Sequence, residues 1–269
     1  MKAHPSALPH KIPLGPVAGH DGRPATLRVL RYDARTTTLR TVLGNDPSPG
    51  LRAEIATRAH DAMTHRAFIV RTTPGSDIDE LCLIPSGEYC EVLCIHSNGW
   101  RRTHGDHRRS LSEILSDLAA AVACGKLRFL DASQLAAELT SGEQMLYREI
   151  TGPGTLAAAR KHLSTALEVL GIAAIAREHV VLGACEAATN TLIHGGGVGS
   201  LSLIKLPNIA RVVVADTGPG LTFLNWYDKP AAGMQPSMGY GYRIILEHID
   251  RISLHTCPSG TTLLLDQTT

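Results

Sequence analysis

The chain has 269 residues, 43% of them hydrophobic, 19% charged and 4% aromatic, with 26 Lys+Arg against 25 Asp+Glu. That much apolar material excludes a disordered or fibrous chain, and the length exceeds what one typical domain needs. A net charge of +1 supplies no field toward nucleic acid, and the scarcity of aromatics argues against base stacking along a single strand.

Met1 to Pro24 carries Pro5, Pro9, Pro13, Pro16 and Pro24 but no continuous apolar run of the kind a signal peptide or membrane span needs. A cytoplasmic protein with no membrane segment is therefore expected, with residues 1–25 a Pro-rich lead. Strands are predicted on either side of a turn at Tyr32-Asp33-Ala34-Arg35, within Thr26 to Leu43. A helix follows over Leu51 to Met63, then strands at Ala67–Val70, Leu81–Ile84 and Tyr89–Ile95. Leu111, Ile114, Leu115, Leu118 and Val122 recur at helical spacing, so Ser110 to Cys124 is the clearest helix of the first half, and Ala132 to Leu139 is a second. The polar break Thr140-Ser141-Gly142 is taken as a boundary between a small α/β domain, residues 26–140, and a second domain, residues 141–269.

The second domain reads as strand (Gln144–Ile150), helices (Thr155–Leu170 and Ala176–His194) and strands (Ser200–Leu206 and Ala210–Ala215). A loop (Gly218–Met238), a helix (Gly239–Ile249) and two closing strands follow, Arg251–Thr256 and Thr261–Leu265. Helices and strands come in segregated runs, which predicts an α+β sandwich with helices covering a largely antiparallel sheet.

Three segments carry chemistry. Glu186, Asn190 and His194 are four apart, so one helix face presents a carboxylate, an amide oxygen and an imidazole. The carboxylate can accept a proton, and the amide oxygen is a hard ligand suited to Mg²⁺ with bound phosphates; a solvated polar face is the alternative. The apolar run Val212-Val213-Val214-Ala215 delivers Asp216, whose carboxylate could accept a hydrogen bond from an exocyclic amine such as adenine's, while Gly218 and Gly220 permit close backbone approach or simply make a turn. Ser237-Met238-Gly239-Tyr240-Gly241 opens a helix, an arrangement whose backbone N–H groups bind phosphate or serve as an ordinary cap.

In this order and spacing, and with Gly260-Thr261-Thr262 leading the last strand, residues from about Gln144 to Asp266 resemble the GHKL ATPases. Within that superfamily the segment is most similar to the bacterial anti-sigma-factor serine/threonine kinases and related switch kinases. The resemblance implies a Bergerat fold binding ATP and Mg²⁺, with Glu186 as the base and Asn190 as the metal ligand. Asp216 would then recognise adenine, with Gly218 and Gly220 shaping its pocket; Gly239, Tyr240 and Gly241 would line the phosphates, and Thr261 would support the site. His194 would lie near phosphate or act in capping. The implied partner is a small STAS-type anti-sigma-factor antagonist phosphorylated on serine, with a sigma factor as a second partner and a homodimer allowed. Two departures stand out: Ser237 and Tyr242 replace residues common in the family, and the short lid between Gly220 and Gly239 carries Lys229, read as an exposed charge rather than a phosphate contact.

Two other classes compete. A histidine kinase would need a phosphoacceptor, for which His60 and His107 are candidates without a convincing motif; a nucleotide-responsive binding module would hold ATP without turnover. Residues 26–140 match no recognised family and are read as a sensory or partner-docking module. The six cysteines, at 82, 90, 94, 124, 185 and 257, are expected to be reduced. Cys90, Cys94 and His96 share a strand face with Cys82, His104 and His107 near in sequence; core thiols are the expectation there, a Zn²⁺ or haem site the alternative.

Overall fold

The computed structural model describes residues 26–65, 69–72, 80–86, 88–96, 111–220 and 241–269. The fold is mixed α+β, with two sheets and six helices among the described residues. The first sheet is antiparallel in the order β2-β1-β5-β4-β3, built from β1 (Thr26–Asp33), β2 (Thr38–Leu43), β3 (Ile69–Thr72), β4 (Glu80–Ser86) and β5 (Tyr89–His96). Strand alternation gives it two apolar faces. Leu30, Tyr32, Leu83, Cys90 and Val92 meet Ile55, Ala59 and Ala62 of α1 (Pro49–His65), whereas Val29, Cys82, Ile84 and Leu93 join the core that includes α2 (Leu111–Ala123).

The second sheet has the order β6-β10-β11-β9-β8-β7, from β6 (Leu127–Phe129), β7 (Glu143–Ile150), β8 (Gly199–Leu206), β9 (Ile209–Asp216), β10 (Arg251–Cys257) and β11 (Gly260–Thr268). Its pairs are antiparallel except β6 with β10. Register places Leu203, Val212, Leu265, Ile252 and Leu127 in one row across five strands. Residues opposite one another share a face, and α4 (Pro153–Val169) and α5 (Ala174–Ile193) pack on this one, with α6 (Gly241–His248) against α5. Helix α4 starts two residues earlier than expected because Pro153 tolerates the first turn and the Thr155 hydroxyl oxygen accepts from the N–H groups of Thr151 and Gly152 (2.9 and 3.1 Å).

On the other face, Leu135 of α3 (Ala132–Leu139) packs on Ile204, Val213 and Leu264, and a buried polar cluster lies beside them. Arg211, Asp266 and Arg251 stand side by side on β9, β11 and β10. Arg211 donates to both carboxylate oxygens of Asp266 (2.6 and 2.9 Å) and pairs with Glu138 of α3 at 2.8 Å. Burial pushes the Asp266 carboxyl up, but its hydrogen bonds from Arg211 and Arg251 prevail and hold it below its ordinary value.

Strand β6 lies ahead of the expected boundary at Thr140–Gly142 yet pairs with β10, so residues 127–129 are part of the second sheet. Helix α2 touches β4 and β5 of the first sheet as well as β6. The Leu127-Arg128-Phe129 strand escapes periodicity because three residues carry no repeat. Among the described residues no helix is long and apolar enough to cross a membrane.

Candidate functional site

One end of the second sheet, beneath α5 and α6, opens into a cleft. The 20-residue α5 is laid down by Val180, Val181, Ala184, Ala187 and Ala188, all buried, which turns Asn190 and His194 toward this end of the molecule. Asn190, His194, Asp216, Gly220 and Thr261 line the cleft between aliphatic side chains that include Val214, Leu254 and Leu263. Glu186 sits one turn before Asn190 on α5, half-buried and outside the lining; burial raises its carboxyl above the ordinary value.

Asp216 is the last residue of β9. Its Oδ1 accepts from the backbone N–H of Gly218 (3.0 Å) and of Thr261 (3.1 Å). Among the described residues no hydrogen bond is made by Oδ2. Burial pushes the Asp216 carboxyl up while the two amides pull it down, and the net shift is upward. A carboxylate with one oxygen fixed by main chain and the other without a hydrogen bond among the described residues, set among aliphatic walls, can act as a directed acceptor for a ligand N–H.

Close backbone packing makes this geometry. A Cβ on Gly195 would come within 2.7 Å of the Asp216 carboxylate, and one on Gly218 within 2.6 Å of the Gly195 backbone. Gly220 and Gly260 have positive φ, and a Cβ on Gly260 would lie 2.2 Å from the Asp216 carbonyl oxygen. The structural weight of Gly195 and Gly260 is not visible from spacing, because the neighbours that exclude a side chain are remote in sequence. His194 is the C-cap of α5, its N–H donating to the Asn190 carbonyl (2.7 Å). Thr261 contributes its backbone N–H to Asp216, and its hydroxyl is 3.1 Å from that of Thr256. Gly241 begins α6; Gly239, Tyr240 and the lid with Lys229 lie outside the described residues.

In the first sheet Cys90 and Cys94 point into the α1 core and Cys82 into the opposite one; burial pushes all three thiols up to about 12. Among the described residues no group of three His, Cys, Asp or Glu could hold a metal ion; the side chain of His96, and residues His104 and His107, lie outside them. His60 lies on α1, with Nδ1 3.0 Å from the Tyr32 hydroxyl. Comparison with models of known protein families and with curated proteins finds no match.

Proposed function

We propose that the second sheet and its helices form a Bergerat-type ATP site and that the chain is an anti-sigma-factor-type protein serine/threonine kinase. The observation that carries this reading is Asp216, which lines a mostly aliphatic cleft with Oδ1 held by the amides of Gly218 and Thr261 and Oδ2 making no hydrogen bond among the described residues. Such a group accepts from the exocyclic amine of a planar base whose faces lie against Val214, Ala187 and Leu263. The N-terminus of α6 supplies backbone N–H groups for the phosphates.

The donor set also suits Mg²⁺, since Asn190 offers one hard amide oxygen to the cleft and phosphates would complete an oxygen shell. Bound there, the ion would neutralise phosphate charge. Glu186 draws the proton from the incoming serine hydroxyl, and its raised pKa brings it closer to the value a general base needs near neutral pH. The substrate is a protein serine, on a STAS-type antagonist by the motif resemblance, and a sigma factor is the second partner; the work is cytoplasmic.

The test is incubation of the chain with radiolabelled ATP, Mg²⁺ and candidate antagonists. Acid-stable phosphate on partner serine that Glu186→Gln abolishes, with ATP still bound, is expected. Acid-labile phosphate on the chain itself would instead indicate a histidine kinase. Unchanged partner binding without any transfer would indicate a nucleotide-responsive module.

A further inference from the structure

Part of the cleft wall comes from a stretch that none of the motifs includes. Leu118 of α2 and Leu127 of β6 face the cleft beside Ile245, Ile252 and Leu263, and they are only 8% and 4% exposed. Leu127 stands across from Ile252 in the parallel pairing of β6 with β10, so the wall continues the apolar row of the sheet beyond β10.

The segment carrying both leucines is anchored from behind. Arg31 of β1 is ion-paired with Glu91 of β5, and its Nη2 donates to the carbonyl of Phe129 (3.3 Å). Arg40 of β2 pairs with Asp131 at 2.7 Å, and Asp131 in turn caps α3 by accepting from the N–H of Gln134. Main-chain bonds close the other side, from Ile252 N–H to the Lys126 carbonyl and from Leu130 N–H to the Leu254 carbonyl, both 2.8 Å.

We propose that Leu118 and Leu127 set the size of ring system the cleft admits, which makes them specificity-determining residues supplied by the segment before the motifs. This rests on the nucleotide reading above. Aliphatic side chains select by volume alone, because they offer no hydrogen bond to a ligand. The anchors at Phe129 and Asp131 hold the β6 backbone in place, so shortening Leu127 leaves space rather than letting the strand close in.

The experiment measures equilibrium binding to the full chain, with Mg²⁺, of ATP and of three ATP analogues carrying a benzyl group at N6, C2 or C8. Leu127→Ala and Leu118→Ala should each raise the analogue-to-ATP affinity ratio about tenfold or more for at least one of the three positions. Leu127→Val should give a smaller rise, and it keeps the test decisive if the alanine variant does not fold. Leu167→Ala, in the same core but outside the cleft lining, should leave the ratio unchanged. Wild-type chain that binds ATP, with ratios unmoved in the variants, overturns the wall's role alone, as does an equal rise in Leu167→Ala. Wild-type chain that binds no ATP overturns the nucleotide reading and this inference with it.

Discussion

Replacing Gly195 with alanine isolates the contact that holds Asp216. Gly195 is not among the glycines with positive φ, so alanine meets no backbone penalty there, and the whole effect is steric. The added methyl would lie 2.6 to 2.7 Å from Cγ, Cβ and Oδ2 of Asp216, where ordinary contact begins at 3.4 Å. Either the end of α5 lifts or the carboxylate swings off the amides of Gly218 and Thr261. Overpacking of this kind costs about 1–3 kcal/mol, a fall in Tm of roughly 2–12 °C for a chain of this size. Each lost bond to the charged oxygen is worth about 1.5–3 kcal/mol. If the adenine contact goes with one of them, ATP affinity falls by roughly tenfold or more, at about 1.4 kcal/mol per tenfold. Calorimetric titration with MgATP beside a melting curve separates the two effects. Gly171→Ala is the control: φ there is +80° and nothing lies within 4 Å, so it should cost about 1–2 kcal/mol of stability and leave affinity alone. Gly195→Ala that binds MgATP as tightly as wild type refutes the argument that close packing at Gly195 positions the acceptor.

Asp216→Asn should keep the fold, by circular dichroism, and weaken ATP about tenfold or more, because a hydrogen bond to a charged acceptor is worth about 1.5–3 kcal/mol. Arg211→Ala removes two charged hydrogen bonds from the Asp266 carboxylate, 4% exposed, but leaves Arg251 as its cation, and should cost about 1.5–3 kcal/mol in urea unfolding. The Ser133 hydroxyl, the Gln134 amide and Arg40 together hold the Asp131 carboxyl down at about 2 against an ordinary 3.8. A depressed folded pKa gives stability that is present above 3.8 and lost as pH falls toward 2, so Asp131→Asn should flatten the acid limb of stability against pH. In native chain at pH 8 a thiol reagent should label exposed Cys124 and spare Cys82, Cys90 and Cys94 until urea is added; immediate reaction of those three would contradict their burial.

The sequence was most readable where one element repeats a spacing. The four-residue steps from Glu186 to His194 place Asn190 and His194 at the cleft because α5 is a regular helix whose opposite side is filled by Val180, Ala184 and Ala188. The apolar run before Asp216 likewise becomes β9 and ends at that carboxylate. Contacts between distant segments were not readable. Gly195 against Asp216 and Gly260 against the Asp216 carbonyl depend on three chain segments meeting, and a lone glycine in sequence looks like any turn. Strand β6 was missed for a related reason: its pairing with β10 spans more than a hundred residues, and a three-residue strand has no pattern of its own. Leu118 could be placed on a helix from its spacing, but what that helix faces is decided by tertiary packing.

The pairing of β6 with β10 bears on how the chain can be divided. A fragment starting at Ser141 would carry all the motifs but would leave one side of β10 without its neighbour, freeing the Ile252 N–H and the Leu254 carbonyl that bond to Lys126 and Leu130. A bare strand edge beside the uncovered Ile252 and Leu254 is a template for adding a strand from another molecule. Expressed alone, residues 141–269 should self-associate on size-exclusion chromatography. The smallest well-behaved unit therefore has to reach back through α3 and β6 to α2, whose own outer side rests on the first sheet.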